Sequence, residues 1–116
     1  FVKTSSKDKN SITLNEEPTY ISYEQYQSIL SNSENAIVVF VREWCHYCKE
    51  YKEILKEVNS NYTTPIYYYE LEDDDILGIS ATPTTYIIKN GVNVETIEGK
   101  KEYDELSKIL NKNNVD

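Results

Sequence analysis

The stretch AIVVFVREWCHYCKEYKEILKEVNS, residues 36–60, sets a run of apolar, mostly β-branched residues directly before apolar residues at helical spacing. Residues 36–42 therefore predict a strand buried on both faces, as at the centre of an α/β sheet. From residue 45 onward, apolar side chains recur on one helical face and Lys and Glu occupy the other, which predicts an amphipathic helix. The chain's two cysteines, Cys45 and Cys48, lie where the strand ends and the helix begins.

The junction between this strand and this helix suits reactive thiols. The free N–H groups of a helix's first turn and the helix dipole favour negative charge, so they stabilise a thiolate, the nucleophilic form of cysteine. Residues i and i+3 at a helix start are about 5–6 Å apart, within reach of a disulfide bond. We therefore expect Cys45, nearer the exposed helix end, to attack a substrate, and Cys48, one turn further in, to resolve the mixed disulfide.

The rest of the chain alternates between strand and helix patterns. The predicted elements are a short strand at 19–21, a helix at 23–32, the strand at 36–42, the helix from 45, strands at 66–72, 84–89 and 92–98, and a helix after Gly99, with a short helix between the third and fourth strands. Ser22 and Gln25 form a capping-box pattern, and Asn90–Gly91 suits a type I′ hairpin turn. We predict an α/β domain with a mixed central sheet of four or five strands flanked by helices.

Length and composition narrow the class of protein. The chain has 116 residues, of which 28% are charged and 39% hydrophobic, as in an ordinary globular domain. Its net charge of −8 argues against a nucleic-acid or anionic-membrane partner, since either would repel it. Two cysteines are too few for a disulfide scaffold. No apolar run approaches the roughly 18 residues of a transmembrane helix.

The N-terminal segment differs in composition from the rest. Residues 1–18 are polar and show no periodicity, which predicts a flexible tail or tether before a domain at 19–116. The chain contains no methionine and begins at Phe1. We therefore expect that a preceding piece, such as a signal peptide or membrane anchor, is missing, which favours an extracytoplasmic protein, secreted or membrane-anchored, over a cytoplasmic one.

Metal sites are weakly indicated. A closed zinc site needs four ligands, and only His46 accompanies the two cysteines. The acidic run of Glu70, Glu72 and residues 73–75 lacks the spacing and glycine of an EF-hand, so a solvated loop is favoured over a calcium site. We expect neither a metal nor an organic cofactor.

Taken with this organisation, the chain resembles the thioredoxin-like proteins over residues 19–113. Three features carry the resemblance: EWCHYCK at 43–49 after an apolar strand, LGISATPTTYIIKNG at 77–91, and Gly99 before the last helix. The resemblance implies a thioredoxin fold and a redox-active cysteine pair. The thioredoxin-like family includes extracytoplasmic bacterial proteins, among them the bacteriocin-transport accessory proteins, and we expect this chain to be of such a type.

The resemblance also implies roles for residues around the cysteines. Pro83 would be cis and face the pair, and the backbone of Thr82 would pair with an extended substrate strand. Trp44 would form a wall of the substrate groove, while His46 and Tyr47 would tune it. A cationic His46 would further stabilise the Cys45 thiolate and make the pair more oxidising.

One position departs from the family's pattern. Thioredoxins carry a buried aspartate six residues before the first cysteine, which helps to deprotonate the resolving thiol. Here that position holds Val39, and the following strand offers no lysine to replace the aspartate's partner. A dedicated proton acceptor near Cys48 is therefore in question, and a typical cytosolic thioredoxin is disfavoured.

These observations predict a monomeric protein thiol–disulfide oxidoreductase, with the direction of electron flow undetermined. Its partners would be protein substrates with thiols or disulfides and a redox partner that resets the pair. The alternative is a non-catalytic adaptor of the same fold in a secretion or transfer machine, in which CHYC is a structural bridge.

Overall fold

The computed structural model describes residues 17–72 and 77–116. The tail predicted at 1–18 therefore lies outside the described residues, apart from Glu17 and Pro18. The same holds for residues 73–75 of the acidic run. Among the described residues, no helix is both long enough and apolar enough to cross a membrane.

Five strands and three helices alternate along the described chain. In chain order they are β1 (Thr19–Tyr20), α1 (Tyr23–Ser31), β2 (Ala36–Val41), α2 (His46–Asn61), β3 (Ile66–Glu70), β4 (Thr84–Lys89), β5 (Val92–Glu98) and α3 (Tyr103–Lys112). The capping box predicted at α1 is present, because Ser22 Oγ accepts from the N–H of Gln25 and Gln25 Oε1 accepts from the N–H of Ser22. The expected short helix before β4 is not found in residues 77–83, which form turns and bends.

The strands form one mixed sheet in the order β1-β3-β2-β4-β5. β3 runs parallel to both β1 and β2, whereas β4 is antiparallel to both β2 and β5. β2 is central, and all six of its residues are buried, as its continuous apolar run predicts. This is the α/β thioredoxin fold that the sequence predicts.

The alternation of side chains along β2 divides the core between the two faces of the sheet. Ile37, Val39 and Val41 pack on one face with residues of α2 and α3. Val38 and Phe40 pack on the other face, against residues of α1 and several tyrosines. The cysteines belong to the first cluster, so the face covered by α2 carries the site.

The hairpin between β4 and β5 has the expected turn. Asn90 and Gly91 have φ of 55° and 78°, the left-handed values that a type I′ turn requires. A Cβ at Gly91 would lie 2.3 Å from the carbonyl oxygen of Leu30, so the turn also needs glycine for close packing against the end of α1.

Candidate functional site

The two cysteines form a disulfide across the first turn of α2. Their Cα atoms are 5.2 Å apart, within the range expected for i and i+3 at a helix start. Cys45 is the N-cap residue, and its Sγ accepts a hydrogen bond of 3.1 Å from the backbone N–H of Cys48. Cys45 is 5% exposed and Cys48 1% exposed, so Cys45 is the more accessible sulfur-bearing residue.

The loop before β4 faces this disulfide. The Thr82–Pro83 peptide bond is cis, and the carbonyl oxygen of Thr82 lies 3.5 Å from Cys45 Sγ. The N–H of Gly99 donates to the carbonyl of Pro83 at 2.8 Å, and Thr84 Oγ1 donates to the carbonyl of Ala81 at 2.6 Å. The first hydrogen bond joins the loop to the end of β5, and the second closes the turn that leads into β4.

Arg42 supports the same loop from the end of β2. Its guanidinium donates to the carbonyl oxygens of Glu72 and Ile79, each at 3.4 Å. The residue that follows the central strand therefore connects that strand to the chain on either side of residues 73–76. Nothing in the local sequence pattern around Arg42 indicates these partners, which are 30 and 37 residues away.

The exposed rim of the site consists of Trp44, His46 and Tyr47. Trp44 is 74% exposed and Tyr47 is 60% exposed, although both are large apolar rings that folding usually covers. The rings of His46 and Tyr47 meet edge to face, with centroids 5.8 Å apart. The rim therefore offers aromatic surface next to the disulfide.

An ion-pair chain links the rim to the segment before α3. His46 Nε2 lies 2.9 Å from a carboxylate oxygen of Glu50, and the other oxygen of Glu50 lies 2.9 Å from Lys100 Nζ. The hydrogen bond from Lys100 holds the pKa of Glu50 below its ordinary value, with a smaller contribution from His46. The same pair raises the pKa of Lys100. The imidazole that we expected to act on Cys45 is thus held against a carboxylate.

A row of four buried residues crosses the sheet on the face that carries the cysteines. We call Tyr68, Val39, Thr85 and Ile97 the floor row, since each is the register partner of the next. Val39, Tyr68 and Thr85 are fully buried, and Ile97 is 4% exposed. Tyr68 of β3 is therefore buried as completely as its partner Val39 in the central strand.

Two tyrosine hydroxyls are buried along the floor row. Tyr51 of α2 has its hydroxyl 3.4 Å from Thr85 Oγ1, and burial raises the pKa of Tyr51 to about 12. The hydroxyl of Tyr68 has no hydrogen-bond partner among the described residues, and burial raises the pKa of Tyr68 as well. Both phenols are therefore neutral at physiological pH.

The structure brings the predicted site residues together around the disulfide, with Thr82 and Pro83 on one side and Trp44, His46 and Tyr47 on the rim.

Sequence reasoning missed four further residues: Arg42, Glu50, Tyr51 and Thr85. The i, i+4 spacing of His46 and Glu50 could have indicated their pairing. Within residues 17–72 and 77–116, no three His, Cys, Asp or Glu side chains are arranged to hold a metal ion.

Comparison with known proteins shows which family this geometry belongs to. The thioredoxin family model matches residues 17–112. Thioredoxin 1 of Plasmodium falciparum is 30% identical over 87 residues, which cover 70% of this chain and 83% of that protein. Thioredoxin f2 of Chlamydomonas reinhardtii has a similar structure, with a TM-score of 0.74 at 19% identity over 83% of this chain and 95% of that one. A chain from the complex of ferredoxin:thioredoxin reductase with thioredoxin f2 also gives 0.74, at 20% identity over 89% and 99%.

Proposed function

The chain belongs to the thioredoxin family and is a thiol–disulfide oxidoreductase, and we propose that Cys45 attacks the substrate while Cys48 resolves the mixed disulfide. The family match and the bonded cysteine pair favour this activity over a non-catalytic adaptor. The observation that carries the proposed roles is the position of Cys45 at the N-cap of α2, where a backbone N–H already points at its sulfur.

The helix start explains why Cys45 is the attacking residue. A thiolate at the N-cap receives the hydrogen bond from the Cys48 N–H and the favourable field of a 16-residue helix. Cys48 lies inside the first turn and is covered on all sides, so a substrate disulfide reaches it only after joining to Cys45. The more exposed sulfur therefore reacts first.

The exchange balances in two steps. The Cys45 thiolate attacks one sulfur of a substrate disulfide, which forms a Cys45–substrate bond and releases the other substrate sulfur as a thiolate. The Cys48 thiolate then attacks Cys45 Sγ, which forms the Cys45–Cys48 bond and releases the second substrate thiolate. The protein's two sulfurs lose two electrons, the substrate's two sulfurs gain them, and protons pass from the protein's thiols through solvent to the substrate thiolates. The reverse sequence oxidises a substrate dithiol.

The surroundings of Cys45 suit a protein substrate in an extended conformation. The backbone of Thr82 lies beside Cys45 Sγ, where a substrate strand can pair with it by main-chain hydrogen bonds. Trp44 and Tyr47, which adjoin the cysteines in the chain, present exposed aromatic surface, available for contact with substrate side chains. We infer that the Thr82 backbone and this aromatic surface together select polypeptides rather than small thiols.

Trapping of mixed disulfides tests the two roles. Cys48→Ser should accumulate a covalent Cys45–substrate complex with a disulfide-bonded protein, because the second step is blocked. Cys45→Ser is the matched control and should trap little, since its remaining thiol is buried. Non-reducing electrophoresis reports both. Trapping by Cys45→Ser but not Cys48→Ser would reverse the roles, and trapping by neither would restore the adaptor alternative.

The reduction potential of the pair decides the direction of electron flow. Equilibration in glutathione buffers measures it directly. A potential near about −270 mV, as in thioredoxin, would identify a reductant, whereas about −120 to −180 mV would identify an oxidant or isomerase. A redox partner must reset the pair after each turnover. Its class follows from the direction, since a reductase resets a reductant and an oxidase resets an oxidant.

We also propose an extracytoplasmic location. Val39 in place of the family's aspartate, and His46–Tyr47 between the cysteines, support it as departures from the cytosolic type. Fractionation of cells that produce the natural gene product, followed by detection with an antibody against this domain, tests the location. Recovery in the cytosolic fraction would contradict it.

A further inference from the structure

The second step of the exchange needs a negative charge on a buried sulfur. Cys48 is 1% exposed and packs among apolar residues of the core. A buried charge is costly unless hydrogen-bond donors face it. Cys45 has such a donor in the backbone N–H of Cys48. In the disulfide form, no hydrogen bond to the Cys48 sulfur is found among the described residues, so a Cys48 thiolate needs a donor that a nearby side chain can supply.

The position where thioredoxins keep a carboxylate cannot supply that side chain here. It holds Val39, which is fully buried in the floor row. Its two neighbours in the row, Tyr68 and Thr85, both carry hydroxyls. The chain therefore has hydroxyl groups, rather than a carboxylate and a lysine, at this level of the core.

Tyr51 is a buried, hydroxyl-bearing residue on the same helix as Cys48. It lies one helical turn after Cys48, and long helical side chains lean back toward the N-terminus, over the preceding turn. Its hydroxyl is anchored by Thr85 at 3.4 Å, and Tyr51, Cys48 and Val39 pack in one cluster. Because burial keeps this phenol neutral, it retains a proton to donate.

We propose that Tyr51, held in place by Thr85, is a positioning residue for Cys48 that takes over the task of the missing carboxylate. Thr85 donates to the phenol oxygen, and the Tyr51 hydroxyl donates to the Cys48 sulfur as that sulfur becomes negative. Tyr51 keeps its own proton, and the proton of Cys48 passes to solvent before Cys48 attacks Cys45. This inference rests on the proposed roles of Cys45 and Cys48.

Two charged residues act on the buried tyrosines, one from α3 and one from α2. Glu105 of α3 acts on Tyr51 through its negative charge. Lys52 of α2 lies over the ring of Tyr68, with its Nζ 5.1 Å from the ring centroid. Tyr68 thus meets a cation on the β3 side of Val39, while the Tyr51–Thr85 pair lies on the β4 side, so the two buried tyrosines are separable by mutation.

A two-phase reaction with an aromatic disulfide, dithiobis-nitrobenzoate, tests the inference on the reduced protein. Attack by Cys45 releases one coloured thiolate, and resolution by Cys48 releases the second, so rapid-mixing absorbance reports both steps. In Tyr51→Phe the second phase should slow about tenfold at neutral pH, as expected for losing a hydrogen bond to a charged group. The midpoint of its pH profile should rise by about one pH unit.

Matched variants separate this role from a structural one. Tyr68→Phe removes the other buried hydroxyl and should leave both phases unchanged. Thr85→Val should slow the second phase by about threefold, since Tyr51 loses its anchor, and Thr85→Ser should restore it. The first phase should stay within about twofold of wild type in all of them, because Cys45 and the helix start are untouched.

Each failure has its own signature. If Tyr51→Phe leaves the second phase unchanged, slows both phases equally, or has no more effect than Tyr68→Phe, the assignment of Tyr51 is wrong. Failure of the proposed roles of Cys45 and Cys48 would appear elsewhere: the wild-type protein would show a single phase, or the Cys45→Ser variant would react fast. The two results are therefore distinguishable.

Discussion

The exposed rim and the buried floor row use similar side chains in opposite environments. On the rim, His46 and Glu50 form an ion pair in water, and Tyr47 is mostly exposed. On the floor row side of the site, Tyr51 and Thr85 pair their hydroxyls in the absence of water, and Tyr68 has no hydrogen-bond partner among the described residues. On the rim, solvent screens charges and competes for hydrogen bonds. In the buried floor row, a hydrogen bond is stronger, and a polar group without a partner costs more free energy. We therefore expect substitutions on the rim to change substrate contact, and substitutions along the floor row to change stability and the chemistry of Cys48.

The largest effect should come from returning a carboxylate to the floor. Val39→Asp places a charge in a fully buried position with no cationic partner in its row, so we expect a loss of about 3–5 kcal/mol in the free energy of unfolding at neutral pH. The loss should shrink as pH falls, because protonation removes the charge. Urea unfolding at several pH values measures it.

Val39→Asn is the control for this substitution. It has nearly the same shape and polarity but no charge, so its loss should be smaller and independent of pH. Equal losses for Asp and Asn would show that the floor tolerates charge, and the contrast with the rim would fail.

Alkaline pH should destabilise the protein through its buried tyrosines. Burial raises the pKa of Tyr51 from 10.0 to about 12 and raises that of Tyr68 also. Because both folded-state pKa values exceed the unfolded one, the stabilisation is complete below about pH 10, and the part due to Tyr51 is lost as pH rises through about 12. Tyr51 accounts for about 3 kcal/mol of this loss.

Single phenylalanine variants resolve the two contributions. Tyr51→Phe should flatten the alkaline decline but cost about 1–2 kcal/mol at neutral pH, since it leaves the Thr85 hydroxyl unpaired. Tyr68→Phe should flatten the decline with no neutral-pH cost, because it removes a hydroxyl without a partner among the described residues. The exposed Tyr47→Phe should change neither. Unfolding followed by circular dichroism measures all three, and an alkaline decline as steep as wild type in Tyr51→Phe would contradict the floor's role.

On the rim, Trp44→Ala should affect substrates rather than folding. Since Trp44 is 74% exposed, its removal should change the free energy of unfolding by less than about 0.5 kcal/mol. The kcat/KM for a disulfide-bonded protein should fall about tenfold, as for an aromatic contact residue, while reaction with glutathione disulfide should be unchanged. Val92→Ala is a matched exposed apolar control at the far end of the sheet and should leave both reactions unchanged. Equal losses for protein and glutathione substrates would argue against a contact role for Trp44.

The smallest effect should come from the ion pair on the rim. In Glu50→Gln the carboxylate that pairs with His46 is gone, so a protonated His46 acts on the Cys45 thiolate without a counter-charge, and the glutathione equilibrium should shift about two- to fivefold toward the reduced protein. The shift should disappear in a Glu50→Gln, His46→Asn double variant and weaken in high salt. A shift that persists without His46 would show that Glu50 acts by another route.

Much of the fold could be predicted from the sequence because its signals are contiguous. The buried run at 36–42 predicted β2 to within one residue, and Asn90–Gly91 predicted the turn between β4 and β5. The spacing of apolar residues in a helix and their alternation in a strand involve residues close together in the chain, so a short stretch of sequence is enough to predict both. The short helix expected before β4 was not found in residues 77–83, where the carbonyl of Ile79 instead accepts a hydrogen bond from Arg42.

The sequence by itself determined the order of the five strands and the three longer helices, the cysteine pair at a helix start, and the loop with Thr82 and Pro83. Only the tertiary structure decided what surrounds them: Thr82 beside Cys45, Lys100 against Glu50, and Thr85 against Tyr51. Each of these contacts joins residues 34 to 50 positions apart. Such pairs form because the sheet order and register bring distant strands and helices together, and no local pattern encodes a cross-sheet register. For this reason the missing aspartate was visible in the sequence, while the hydroxyl pair on the same sheet face was not.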